Sequence, residues 1–110
     1  MPRIEFVIEG SQGDPYDVVF DISEGIARAT CSCQAGANGQ FCKHRMAMLD
    51  GDISSLRSAN ASSVAKLASL LEGTNLASAY ADLVTAAKAH EETKRALDAA
   101  KRRLTRIAHQ

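Results

Sequence analysis

The chain has 110 residues, 45% of them hydrophobic, and its 13 basic and 13 acidic side chains cancel to a net charge of zero. That length makes one compact unit or two small ones, and the balanced charge provides no global field favouring nucleic acid. No run approaches the ~20 apolar residues of a membrane span, and acid within Met1-Pro2-Arg3-Ile4-Glu5-Phe6-Val7 interrupts what would have to be a signal's hydrophobic region, so a cytoplasmic location is expected.

The first elements alternate as a small antiparallel sheet should. Ile4, Phe6 and Ile8 mark one face of a first strand, and Tyr16, Val18, Phe20 and Ile22 mark one face of a second. Residues 10–15, Gly-Ser-Gln-Gly-Asp-Pro, read as a loop, and Ser23-Glu24-Gly25 as a tight turn into a third strand over about Ile26 to Cys31.

Next come Cys31-Ser32-Cys33, eight intervening residues, and Cys42-Lys43-His44, which gather every cysteine and one of three histidines into fourteen residues. At a strand end, side chains two apart share a face, so Cys31 and Cys33 can approach one metal together. Two apart on a helix they diverge by about 200°, which places Cys42 in a turn and His44 in the first helical turn after it. Residues 34–40 are expected to form a reversing loop, with Phe41 as an apolar anchor beside the second pair. Three thiolates and one imidazole complete a tetrahedral set suited to one structural Zn²⁺. Three cysteines leave one over in any disulfide scheme; the competing reading is buried thiols beside a capping or surface histidine. A filled Cys₃His shell would carry a net charge of −1, offset by Arg28, Lys43 and Arg45 if they lie near it. A short helix is expected from about Lys43 to Asp50, with Met46 and Leu49 inward and Gly51 as its stop.

Cys-x-Cys, a spacer and Cys-x-His, preceded by strands and followed by a short helix, resembles the SWIM zinc-finger family over roughly residues 3 to 51. Residue by residue, the family's metal ligands correspond to Cys31, Cys33, Cys42 and His44. The stretch from Cys31 to Asp52 is also similar to small stand-alone SWIM proteins of bacteria and prophages. The resemblance implies a zinc-binding module that contacts protein or DNA, without the transposase or helicase domains that accompany the finger in larger members.

Beyond residue 51 the character changes. Residues 52–73 read as a connector with a short amphipathic helix, Ser62 its cap, Val64, Leu67, Ala68 and Leu71 its apolar stripe, and Gly73 its end. Thr74 or Asn75 then caps a helix reaching nearly to Gln110. Leu76, Leu83, His90, Leu97 and Leu104 recur every seven residues, with Ala79, Ala86, Thr93, Ala100 and Ile107 three residues later, a narrow seam suited to self-association as a coiled coil. The alternatives are docking on a foreign partner, or an exposed helix supported by the pairs Glu91–Arg95 and Asp98–Arg102. Lys94, Arg95, Lys101, Arg102, Arg103 and Arg106 face only Asp98 and form a candidate phosphate-binding surface, though such runs are more often solvated faces.

Together these readings predict an α+β chain: a zinc finger over 1–51 with a small antiparallel sheet and short helix in a ββα-like arrangement, a connector over 52–73 and a long helix over 74–110. No catalytic residue is expected. A closed Cys₃His shell leaves no position for substrate, no glutamate stands two residues after the ligand histidine His44 in the His-x-Glu arrangement of zinc deaminases, and Ser32, Ser54 and Ser62 lack an evident base. A protein partner leads, and weak, sequence-nonspecific nucleic-acid binding is the alternative.

Overall fold

A computed structural model describes residues 2–40 and 42–109 of the chain. The expected anchor Phe41 lies outside the described residues. Three antiparallel strands come first in the order β1-β2-β3: β1 Arg3–Glu9, β2 Pro15–Ser23 and β3 Ile26–Cys31. Their alternation is realised as expected, with Phe6, Ile8, Val18, Phe20 and Ile22 buried on one face and Ile4 and Tyr16 packed at its margin. Phe6 and Phe20 meet edge to face, centroids 6.0 Å apart, an arrangement that aromatic quadrupoles favour. Opposite Phe20 and Ile22, β3 supplies only Ala29 and Ala27, so large and small side chains alternate across the sheet. Glu24 at φ 48° and Gly25 at φ 81° turn β2 into β3 with the two left-handed residues of a tight hairpin.

The helices are α1 Gln34–Ala37, α2 Lys43–Asp50, α3 Ala61–Leu71 and α4 Asn75–Ala108, so the α+β class holds. The first of them replaces part of the reversing loop expected over residues 34–40. The second has the expected bounds and ends on Gly51 in the left-handed conformation. Its buried side chains are His44 and Met48, while Met46 and Leu49, expected to face inward, are half-buried. Once His44 points into the protein, the residue one turn on must follow it, and that residue is Met48.

In α3 the stripe Val64, Leu67 and Leu71 is buried, whereas Ala68, assigned to it from the sequence, is exposed. Ser62 lies inside the helix, and the cap position falls to Asn60, whose side chain donates to the Glu5 carbonyl at 2.8 Å instead of capping. Thr74 takes the capping role at the start of α4: its buried hydroxyl accepts from the Ala77 N–H at 3.2 Å and donates to the Leu71 carbonyl at 2.6 Å.

The connector does more than span. Leu56 forms an antiparallel bridge with Ile8, the Glu9 N–H donates to the Ser55 carbonyl at 2.8 Å, and the Arg57 N–H donates to the Val7 carbonyl at 2.7 Å. The Ser58 hydroxyl accepts from the Val7 N–H at 3.1 Å. The outer edge of β1 is thereby paired and closed to a stray strand.

By packing, the chain divides into two compact units, Met1–Ser78 and Ala79–Gln110. In the first, sheet, thiols, Met48 and the α3 stripe share one core, with Leu76 packed at its margin. The Asn75 carboxamide oxygen accepts from the buried Ala27 N–H at 2.7 Å. The second is a single helical stretch without a buried side chain among its described residues. No helix among the described residues is long and apolar enough to cross a membrane.

Candidate metal centre

Three elements converge on the donor cluster. Cys31 is the last residue of β3, held opposite Val18 of β2. The ladder is continued one step by Ser32, whose N–H donates to the Asp17 carbonyl at 3.0 Å and whose hydroxyl accepts from the Asp17 N–H at 2.9 Å. That pair of hydrogen bonds with Asp17 sets the direction of the chain as it leaves the sheet. Cys33 then stands at the N-cap of α1, its sulfur accepting from the Gly36 N–H at 3.3 Å.

Gly36 lies so close to Cys31 that a Cβ there would collide with the Cys31 carbonyl and Cβ. The turn can therefore fold back over the first ligand only with glycine at this position. Cys42 occupies the N-cap of α2 and His44 its first turn, as expected.

All four donor atoms lie within 4.8 Å of one another. The Cys33 and Cys42 sulfurs are 3.3 Å apart, and His44 Nδ1 is 3.5 Å from the Cys42 sulfur and 3.8 Å from that of Cys31. A tetrahedral zinc with bonds of about 2.3 Å to sulfur and about 2.0–2.1 Å to nitrogen needs edges of about 3.8 Å between sulfurs and about 3.6 Å between sulfur and nitrogen. The residues fit the ion on distance and on donor chemistry. Cys31, Cys33 and Cys42 are 6%, 5% and 3% exposed and His44 9%, so the cluster sits inside the core.

Electrostatics divide the thiols. Burial pushes Cys31 up to about 12. Burial also opposes ionisation of Cys42, but the backbone N–H of Arg45, the neighbouring Cys33 and Cys31 thiols and the His44 N–H outweigh it and bring Cys42 down to about 6. A thiol at a helix start surrounded by N–H donors ionises readily, and one buried beside it resists.

Of the three cations expected to offset the site, Arg45 alone ties its surroundings together. Its guanidinium donates to the Ala29 carbonyl of β3 at 3.1 Å and to the Gln40 carbonyl, strapping the segment between the ligand pairs to the sheet. Arg28 alternates to the opposite face of β3 from Cys31 and lines a cavity of about 420 Å³ with Asp21 and Glu24. Lys43 is exposed. The Tyr16 ring packs against the His44 imidazole at 5.0 Å between centroids.

Sequence reasoning did not anticipate the structural parts taken by Ser32, Gly36 and Tyr16. Only the glycine left a signal, as a small residue three positions after the second cysteine.

The other candidate residues fall on α4. Leu83, Leu97 and Leu104 are 41%, 54% and 68% exposed, His90 is exposed, and Leu76 is half-buried against the core of the first unit. Lys94, Arg95, Lys101, Arg102, Arg103 and Arg106 are all exposed. Glu91 pairs with Arg95 at 3.4 Å, and no ion pair joins Asp98 to Arg102 among the described residues.

Residues 16–50 match the family model of the SWIM zinc finger, and the four donors lie within that segment. The match begins at β2, so β1 and the connector that closes its edge stand outside it. No curated protein and no solved structure matches the chain. Residues 16–50 are thus similar to a SWIM zinc finger, and the donor cluster within them can bind one zinc ion.

Proposed function

We propose that this chain is an interaction module in which zinc, held by Cys31, Cys33, Cys42 and His44, consolidates a finger and the long helix α4 engages another protein. Zinc bound there supplies a fixed tetrahedral crosslink between the end of β3 and the start of α2. A core built from three short strands and small helices gains most from such a link. The reading assigns no catalysis, because four protein donors close the shell. The reduced thiols suit a cytoplasmic site of action.

The observation that carries the protein-partner reading is the exposure of Leu83, Leu97 and Leu104, spaced at fourteen and seven residues along one face, on a helix with no buried side chain. Leucines repeated on one helix face lower the free energy when another apolar face covers them. The finger speaks against reading bases, since Glu5, Glu9, Asp14, Asp17, Asp21, Glu24 and Asp50 outnumber Arg3, Arg28, Lys43 and Arg45. The basic stretch of α4 favours a second, weaker activity, sequence-blind contact with nucleic-acid phosphates.

Affinity purification of the zinc-loaded chain from host extract, before and after nuclease treatment, tests the ranking. Capture that survives nuclease and is lost in Leu83→Glu, Leu97→Glu and Leu104→Glu variants supports the protein reading. Tight binding to one DNA sequence that survives about 200 mM salt and depends on Arg28 or Lys43 overturns it.

A further inference from the structure

We propose that α4 pairs with α4 of a second copy of this chain as an antiparallel coiled coil centred between Glu91 and Glu92. The inference rests on the protein-interaction reading and names the partner that covers the exposed leucines. Two independent features of residues 79–108 select both partner and direction.

The first is charge. Residues 79–92 carry Asp82, Glu91 and Glu92 against Lys88, whereas residues 93–108 carry six basic side chains against Asp98. Parallel pairing would set the two strongly basic ends side by side. Antiparallel pairing lays the acidic half of each helix along the basic half of the other.

The second is size. The seam alternates Leu83, His90, Leu97 and Leu104 with the smaller Ala79, Ala86, Thr93 and Ala100. In a parallel pair each residue meets its own copy, so wide leucine layers alternate with narrow alanine layers that cannot both close at one helix separation. Turning one helix about a point between residues 91 and 92 removes the conflict. Leu83 then stands opposite the partner's Ala100, Leu97 opposite the partner's Ala86, and Leu104 opposite the partner's Ala79. His90 meets the partner's Thr93, so every layer from Ala79 to Leu104 holds one larger and one smaller side chain, while Ile107 falls opposite the partner's Leu76, which is already packed on the core of the first unit. In the same register Asp82 flanks the seam beside the partner's Arg103, and the symmetry makes that ion pair twice.

Sedimentation equilibrium of the intact, zinc-loaded chain from about 5 to about 200 µM measures the association. Asp82→Arg and Arg103→Asp each replace two attractions by two repulsions and should weaken it by about tenfold. The combined variant restores opposite charges and should return to within about threefold of the parent. Direction is read separately by a nitroxide on a ketone-bearing unnatural residue at position 108, which leaves the zinc thiols untouched. At 1.5 Å per residue the antiparallel register separates two such labels by about 50 Å, against less than about 25 Å for a parallel pair.

Recovery in the combined variant together with the long separation is the expected result. A combined variant no tighter than the single ones, or a short separation, overturns the inference. A single chain throughout the concentration range also overturns it, and leaves the interaction-module reading to the capture experiment, where a foreign protein on the same leucines would satisfy it.

Discussion

Zinc affinity should fall with acid along a slope to which Cys31 and Cys42, two of the three ligand thiols, contribute unequally. Metal binding requires thiolates. Cys31, raised by burial to about 12, still holds its proton at pH 6 to 8, so zinc must expel at least that proton. Apparent affinity therefore drops at least about tenfold, or about 1.4 kcal/mol, for each pH unit in this range. Cys42, brought down to about 6 by the N–H groups of the α2 start against the opposing effect of burial, is ready as thiolate above that pH. Below it a second proton competes, and the drop steepens to at least about a hundredfold per unit.

In the metal-free protein the same shifts have opposite signs. Cys42, lowered from 9.0, contributes stability that is present above pH 9.0 and lost as pH falls through about 6. Cys31, raised from 9.0, contributes stability that is present below pH 9.0 and lost as pH rises through about 12. Competition with a chromophoric chelator at a series of pH values gives the slope, and calorimetry in buffers of different protonation enthalpy counts the protons released. Affinity that is level between pH 8 and 6 would refute the reasoning.

Gly36→Ala should reduce zinc affinity by more than about tenfold, because the new Cβ meets the Cys31 carbonyl and side chain; chelator competition at pH 7.5 that shows parental affinity contradicts the close approach. Asn75→Ala leaves the buried Ala27 N–H without its 2.7 Å acceptor and should cost about 1–3 kcal/mol, seen as a lower denaturant midpoint at fixed zinc. Asn75→Asp, which keeps an acceptor, should recover most of that loss. Ser32→Ala removes only the bond to the exposed Asp17 N–H. It should cost under about 1 kcal/mol and retain a full equivalent of zinc, so loss of the metal in this variant would mean that Ser32 holds the ligands more directly.

The sheet was legible because period-two alternation is a local signal, and Phe6, Ile8, Val18, Phe20 and Ile22 all face the core as their spacing requires. The donor set was legible for a related reason: ligand chemistry confines Cys31, Cys33, Cys42 and His44 to one short stretch, and the turn and helix positions of Cys42 and His44 follow from their spacing. What escaped was set by contacts distant in sequence. The bridge of Leu56 to Ile8 and the bond from Asn60 to the Glu5 carbonyl join residues about fifty apart, and nothing in the polar run around Arg57 marks it as an edge partner. The inward face of α2 was misjudged because Met46 and Leu49 are apolar, whereas the anchoring of His44 selects Met48. Ala68 misled for the opposite reason: alanine fits a helix stripe or its exposed flank equally well.

Zinc absorption spectroscopy at the K edge, combined with metal analysis of the purified chain, tests the central claim most directly. The account predicts one zinc per chain, with three sulfurs at about 2.3 Å and one nitrogen at about 2.0–2.1 Å, and a sulfur count that falls in Cys33→Ser and Cys42→Ser. Metal well below one equivalent, or a shell of oxygen and nitrogen without sulfur, would contradict it.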